Sequence, residues 1–442
     1  MRKRVLLLAG CFAAWLCGTF YAVAYEPDDP LLDHDEVYWI GSAYYYSLAF
    51  TQWDWSHPAW RMLPARENPP VSKYVIGAGL AAAGHHVTSL ENLSYFYLLW
   101  LRWEKNPAAE SRTPDEAKRA AVVAAAPPGF RQKILAHQRA PLPRPVVRAA
   151  RATVTACAVA GSLLLLLLGL AGGDRAAGLI ASQLILLHPV AVSAASHAMS
   201  DTIALMFSLA AVWAVFAWYG RFSDAEPPGA RRGLPATLTA GGLLALACGA
   251  KMNALTVVIL AGLMTALVIA QRWRAGERRA ALQAGAHGLI MLVVGLAVFS
   301  AINPAILQDF PGALAATITE HQRTESIQVD LRYPHPAGLA GRIEAVVTMG
   351  FYGWPLFTIM GAIVGWCVLR RWADRTIRFA VCWWGVTLVA VTQWLPFAWP
   401  RYVLPLLAPS VWLVGLFLSH GLRHLVSLAL RGKTGRRVQA AP

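Results

Sequence analysis

A cluster of ionisable residues stands directly after the first apolar run of the chain. In the stretch DHDEVYWIG, Asp33, His34, Asp35 and Glu36 are adjacent, and aromatic residues follow at once. Because a carboxylate can accept a proton from a hydroxyl nucleophile, Asp35 and Glu36 are candidate catalytic residues. The structural alternative is that they stabilise the N-terminus of a helix beginning at this point, where acidic side chains complement the helix dipole. A divalent metal is a further alternative, but adjacent residues lack ligand spacing, so no metal is assigned.

Other polar residues stand at the ends of apolar segments, where they are costly unless they are paired or functional. Lys and Arg in a dry pocket can neutralise a phosphate leaving group, and carboxylates can handle a proton. Capping by Asp201 and snorkelling by Lys73 and Arg401 are the structural alternatives. The predicted substrate- and donor-binding residues are Glu67, Asn68, Lys73, His197, Asp201, Lys251, Arg401 and Tyr402, with Asn303 on the same predicted face.

The composition indicates a membrane protein. Only 14% of the 442 residues are charged and 57% are hydrophobic, whereas a soluble domain has about a quarter charged residues. The net charge of +15 does not indicate nucleic-acid binding, because the basic residues lie beside apolar runs and form no arm, finger or aromatic-basic module. The six cysteines lie in or beside apolar runs without CxxC spacing, and we interpret them as small membrane-core residues.

The apolar runs predict an all-α polytopic membrane protein with about ten transmembrane helices. The first run follows a basic start and could be a cleavable signal peptide, but its length favours a retained span. The predicted spans lie near 5–25, 149–171, 176–196, 202–220, 234–250, 253–271, 283–302, 344–369, 379–397 and 402–420.

Alternation of the basic residues predicts the topology. Short loops rich in Arg fall on one side together with both termini, which are therefore expected to be cytoplasmic. The other side carries two long outer loops, 26–148 and 303–343, within a single integral membrane domain covering 1–442. Inside the first loop, the apolar stretch 74–101 contains His85, His86, Glu91 and Asn92. Because these are expensive in lipid, surface-lying or re-entrant amphipathic helices are expected there.

Four short motifs, in order and on one predicted face, resemble the protein O-mannosyltransferase and aminoarabinose-transferase superfamily of GT-C membrane glycosyltransferases. The similar motifs are the Asp35-Glu36 pair followed by ENPPVSK with Lys73, SHAMSDTIAL with Asp201, CGAKMNAL with Lys251, and WPRYVLPLLAP with Arg401. There are departures: Asn68 replaces the basic residue expected before the two prolines, and Ser72 stands where Gly usually precedes Lys.

The resemblance implies a polyprenyl-phosphate sugar donor and a protein, lipid or glycan acceptor at the outer face of the bilayer. Asp35 would be the general base, Glu36 would orient Asp35 or the acceptor, and Lys73 and Arg401 would hold the leaving phosphate. Direct displacement would invert the anomeric carbon. The expected location is a bacterial inner membrane, with the active site facing the periplasm or outside.

Two other functions remain open from the residues alone. A proton- or ion-coupled transporter or flippase would use acidic residues near the middle of the membrane and repeated halves. Here the acidic residues stand at span ends, and no internal repeat is evident. A non-catalytic GT-C-like subunit would carry the same motifs without activity.

Overall fold

The computed structural model describes residues 34–61, 64–65, 68–88, 142–223, 230–313 and 336–438, with the isolated positions 12, 16, 315 and 319. Regular structure within these ranges is entirely helical. Short helical turns at Tyr44–Tyr46, Ser47–Thr51, Pro58–Arg61, Met252–Ala254, Pro304–Gln308 and Pro400–Val403 are left unnumbered. The numbered helices are α1 His34–Ser42, α2 Val71–Ala82, α3 Arg144–Ala171, α4 Arg175–Leu187, α5 Pro189–Ala195, α6 Ser200–Ser223, α7 Ala230–Ala250, α8 Leu255–Arg274, α9 Arg278–Ala301, α10 Gly338–Phe351, α11 Trp354–Arg371, α12 Arg375–Trp394 and α13 Leu404–Val438.

The long helices agree with the predicted polytopic membrane architecture. Among the described residues, seven helices are long and apolar enough to cross a membrane, or up to nine if two bent pairs each count as one span. These nine segments correspond to nine of the ten predicted spans. The remaining prediction, 5–25, lies outside the described residues except for positions 12 and 16.

Two predicted spans are bent rather than continuous. The segment predicted at 176–196 is α4 and α5, which meet at 66°. Pro189 opens α5, and a residue preceding proline is displaced from helical geometry, as His188 is with ψ of 123°. The segment predicted at 344–369 is α10 and α11, which meet at 87°. Gly353, with φ of 119°, lies at this break in a conformation that residues other than glycine rarely adopt.

Contacts between helix ends define two ends of the bundle. At the first, Arg272 donates to the carbonyl oxygen of Phe222, Arg375 donates to that of Gly220, and Arg423 pairs with Asp174. We call this the arginine end, and the end that carries Asp201 and Arg401 the site end. The predicted alternation thus brings the basic short loops to one end of the bundle.

Helix α2 lies at the site end and packs against α3. Its 12 residues have a length of about 18 Å, well short of the roughly 30 Å hydrocarbon core. Helix α2 therefore does not span a bilayer by itself, and the surface-lying or re-entrant helices predicted for 74–101 stay a prediction. The rest of that stretch, with Glu91 and Asn92, is outside the described residues.

Candidate active site

An ion pair joins the beginning and the end of the chain at the site end. The Arg401 guanidinium donates to Asp35 Oδ2 at 2.5 Å, across 366 residues of sequence. Asp35 lies in the first turn of α1, and Arg401 lies in the short turn that precedes α13. Their side chains are 35% and 23% exposed. The pair is therefore held by the fold but remains accessible to a ligand.

A second ion pair lies beside the first. Lys251 Nζ donates to Asp201 Oδ1 at 2.7 Å, and Asp201 is in the first turn of α6. Lys251 stands in the break between α7 and α8, where its backbone is extended and its side chain can reach α6. The ring of Tyr402 lies 5.7 Å from Lys251 Nζ and 5.7 Å from the Arg401 guanidinium. Both cations therefore border one aromatic ring.

The Arg401 side chain is further held by its neighbours. The guanidinium lies 4.6 Å from the centre of the Trp399 ring and contacts the sulfur of Met199 at 3.3 Å. Trp399 stacks on Tyr402 with an interplanar angle of 8°. Five of the predicted site residues thus form one group, which we call the charge cluster: Asp35, Asp201, Lys251, Arg401 and Tyr402.

Glu36 has a different environment from that of Asp35. Its side chain is fully buried, and its two oxygens accept one bond each from Arg151 Nε and NH2 at 2.8 Å. The backbone N–H of Ala198 also donates to Glu36 at 2.8 Å. Glu36 therefore fastens α1 to α3 and to the turn that leads into Asp201.

The sequence prediction missed Arg151. A signal was nevertheless available, because Arg151 lies two residues inside the predicted span 149–171, where a charged side chain is expensive without a partner. Arg151 lies in the N-terminal part of α3, before the most apolar stretch of that helix, and from there it reaches Glu36.

Lys73 is fully buried in α2 rather than presented to a ligand. Its ammonium donates to the carbonyl oxygens of Pro64 and Asn68 and lies 5.3 Å from the Tyr45 ring. Burial raises the pKa of Tyr45 above its usual value, so its hydroxyl stays protonated and donates to the carbonyl oxygen of Ala59 at 2.9 Å. The Lys73 ammonium is thus bonded to backbone oxygens, and the phosphate site that the sequence predicts for Lys73 together with Arg401 stays a prediction.

The remaining candidates have other contacts or fall outside the described residues. Asn68 donates to the Tyr38 hydroxyl at 3.4 Å. His197 Nδ1 lies 2.7 Å from the carbonyl oxygen of Ser193. Asn303 is buried before the short helix at Pro304–Gln308. Glu67 falls outside the described residues.

The described residues contain no group of three or more His, Cys, Asp or Glu side chains placed to hold a metal ion. Asp33 and the His34 side chain are outside the described residues. The metal alternative for the opening cluster therefore stays a prediction.

Comparison with known proteins agrees with this architecture. The family model of dolichyl-phosphate-mannose-protein mannosyltransferases matches residues 126–309, a segment that contains Arg151, Asp201 and Lys251 but not Asp35 or Arg401. The crystal structure of ArnT from Cupriavidus metallidurans bound to undecaprenyl phosphate is similar, with a TM-score of 0.52 and 15% sequence identity. The similarity covers 98% of this chain and 64% of that chain, so the present chain spans less than two thirds of that protein's length. No curated protein matches the chain in sequence.

The likeness to ArnT extends over almost the whole chain, and the mannosyltransferase family model matches its central helices. An all-helical membrane bundle of this form is the architecture of the GT-C glycosyltransferases. The chain therefore has an all-helical, ArnT-like GT-C fold.

Proposed function

We propose that the protein is a membrane glycosyltransferase that moves a sugar from a polyprenyl phosphate to an acceptor. The observation that carries this proposal is the partly exposed Asp35–Arg401 pair beside Asp201–Lys251. A transferase of this kind needs a carboxylate for the proton of the acceptor and cations for the phosphate of the donor. The charge cluster contains both kinds of group within one accessible region.

Asp35 is the proposed general base. Its carboxylate accepts the proton of an acceptor hydroxyl while that oxygen forms a bond to the anomeric carbon of the donor. The bond between the anomeric carbon and the phosphate oxygen breaks, and the polyprenyl phosphate leaves with the electron pair. Displacement from the opposite face inverts the anomeric carbon.

Arg401 and Lys251 are the proposed phosphate clamp. Their side chains are 23% and 20% exposed, whereas Lys73 has no exposed surface. Charge-assisted hydrogen bonds to phosphate are roughly twice as strong as neutral ones. We therefore replace Lys73 by Lys251 in the clamp and give Lys73 a positioning role beneath α1. Asp201 orients Lys251 and is proposed to contact the sugar or the acceptor.

Glu36 is proposed as a positioning residue. It is buried against Arg151 and cannot reach an acceptor hydroxyl without leaving that partner. Its bond to the backbone of Ala198 links α1 to the turn before Asp201. Glu36 therefore sets the position of Asp35 relative to Asp201.

The donor and the side of the membrane follow from the same proposal. ArnT was crystallised with undecaprenyl phosphate, a lipid phosphate of the class that the clamp suits. We infer that the site end faces the periplasm or outside, because the arginine end carries the basic loops that favour the cytoplasm. A hexosyl or pentosyl donor and a protein, lipid or glycan acceptor all suit this chemistry.

A purified-protein assay tests the proposal. Full-length protein in lipid vesicles is incubated with polyprenyl-phosphate hexoses and pentoses, and release of polyprenyl phosphate is measured. We expect protein-dependent release with at least one donor. The KM for that donor should rise roughly tenfold or more in Lys251→Gln. In a folded Lys73→Gln variant the KM should stay close to that of the wild type. Translocation of an intact donor without cleavage would support the transporter alternative instead. The absence of both activities with every donor would support the non-catalytic alternative.

A further inference from the structure

A narrow cavity leads from Asp201 into the bundle, between α6, α8, α12 and α13. Its volume of about 20 Å³ gives room for roughly one water molecule or one hydroxyl group. Polar side chains between spanning helices are costly unless something bonds to them. Six of them nevertheless line this cavity: Asp201, Ser208, Asn253, Thr256, Trp383 and Thr387. The lining therefore suits a polar ligand better than an apolar one.

Asp201, at the site end of the cavity, has unused capacity to accept hydrogen bonds. Its side chain is 5% exposed, and Lys251 donates to its Oδ1 at 2.7 Å. Among the described residues, no other group donates to the Asp201 carboxylate. An ionised carboxylate can accept about four hydrogen bonds. Asp201 can therefore accept a bond from a ligand in the cavity while it remains paired with Lys251.

Trp383 gives a second, independent observation. It is 4% exposed, it lines the cavity, and its indole N–H has no acceptor among the described residues. A buried donor without a partner costs free energy that a ligand oxygen can recover. The Ser208 hydroxyl and the Asn253 amide are partly buried in the same lining, and the described part of the chain offers neither a hydrogen-bond partner. The cavity thus offers both donors and acceptors.

A hydroxyl group matches this lining because it both donates and accepts a hydrogen bond. The adjoining charge cluster indicates which molecule carries that hydroxyl. In the proposed function Lys251 holds the phosphate of the donor, and Lys251 is bonded to Asp201. The sugar is joined directly to this phosphate, so the sugar is the part of the donor nearest to the cavity.

We propose that the cavity receives a hydroxyl-bearing group of the donor's sugar. Ser208, Asn253 and Trp383 then determine which sugar is accepted, because a site that hydrogen-bonds a substrate hydroxyl rejects an analogue without it. The inference rests on the proposed function, since it takes the position of the phosphate from the clamp.

Thermal unfolding of the full-length protein in neutral detergent tests this proposal through binding rather than turnover. The probes are polyprenyl phosphate and the same lipid carrying a hexose or a pentose. In the wild type, one sugar-bearing lipid should raise the unfolding midpoint at roughly tenfold lower concentration than polyprenyl phosphate does. Ser208→Leu, which fills the cavity, should abolish this difference and leave the response to polyprenyl phosphate unchanged. The matched control is Ser300→Leu, at a partly buried serine of α9 outside the cavity, which should keep the tenfold difference.

A second variant covers a failure of Ser208→Leu to fold. Trp383→Phe keeps an aromatic ring and removes the N–H donor, so it should bind the sugar-bearing lipid severalfold more weakly. Equal responses of the wild type to the bare and sugar-bearing lipids would overturn the sugar site. A tenfold difference that persists in the folded cavity variants would overturn it as well.

A wrong sugar site and a wrong clamp give different results. If the clamp is wrong, polyprenyl phosphate itself does not raise the unfolding midpoint, or Lys251→Gln does not weaken its effect. If only the sugar site is wrong, both of these effects remain, and the cavity variants respond to every lipid as the wild type does.

Discussion

Asp35 and Glu36 are neighbours in sequence, but they point in different directions. Residues adjacent on a helix are separated by about 100°, so Asp35 meets Arg401 near the surface while Glu36 enters the bundle. The sequence could identify both carboxylates as candidates. It could not distinguish their environments, because the partner of Glu36 is Arg151, 115 residues away. The burial of Lys73 was not predictable for another reason: its partners are the backbone carbonyl oxygens of Pro64 and Asn68, whose positions no residue type reveals.

The buried ion pair between Glu36 and Arg151 leads to a prediction about stability. Glu36→Gln leaves the Arg151 charge without its bidentate partner, and breaking a buried pair in this way costs about 3–5 kcal/mol. Adding Arg151→Met should recover a large part of this loss, because no uncompensated charge then remains. Thermal or denaturant unfolding of purified protein measures the effect. If Glu36→Gln proves as stable as wild type, the Glu36–Arg151 pair is not required for stability.

At the scale of elements, apolar length alone predicted nine segments that the structure also contains. The bends of α4–α5 and α10–α11 were not predicted, because a mean hydropathy does not record a local change of backbone direction. Pro189 and Gly353 are visible in the sequence, but either residue can also lie in an undistorted helix end. The position of α2 also depends on its packing against α3, a tertiary contact that no local sequence pattern predicts.

Gly79 provides a test of that contact. A Cβ atom at this position would lie 1.8 Å from Thr153 Oγ1 in α3, and Thr153 is itself held by a bond to the carbonyl oxygen of Ala149. We expect Gly79→Ala to destabilise the protein by about 1–3 kcal/mol, and Thr153→Ala in the same chain to restore part of this loss. The control is Gly262→Ala in α8, where a Cβ would meet no atom within 4 Å. Equal unfolding midpoints for the Gly79 and Gly262 variants would show that α2 does not pack closely on α3.

For the whole molecule, the distribution of charge along the sequence predicted two chemically different ends. The sequence could place Asp35, Asp201, Lys251 and Arg401 on one face through alternation of the spans. It could not pair them, because the pairing depends on which helices are neighbours in the bundle. The family-model match covers residues 126–309 and so excludes both members of the Asp35–Arg401 pair. That pair is supported by the fold and by the resemblance of short motifs.

The two ends should face opposite sides of the membrane. We consider single cysteines introduced into a background without native cysteines. One replaces Gln52, which is exposed near the site end, and the other replaces Arg274, which is exposed at the arginine end. A membrane-impermeant maleimide should label position 52 in intact cells and position 274 only after permeabilisation. Labelling of both positions from one side would contradict the topology.

The most direct test of the central claim is the turnover of Asp35→Asn with a polyprenyl-phosphate sugar donor. Asparagine keeps the shape of the side chain and caps a helix about as well as aspartate, so unfolding should change by about 1 kcal/mol or less. It cannot accept the acceptor proton, so turnover should fall by roughly a hundredfold or more. Polyprenyl phosphate released per enzyme and the unfolding midpoint are measured on the same preparations. A hundredfold loss at unchanged stability is the predicted result, and wild-type turnover in Asp35→Asn would show that Asp35 is not the general base.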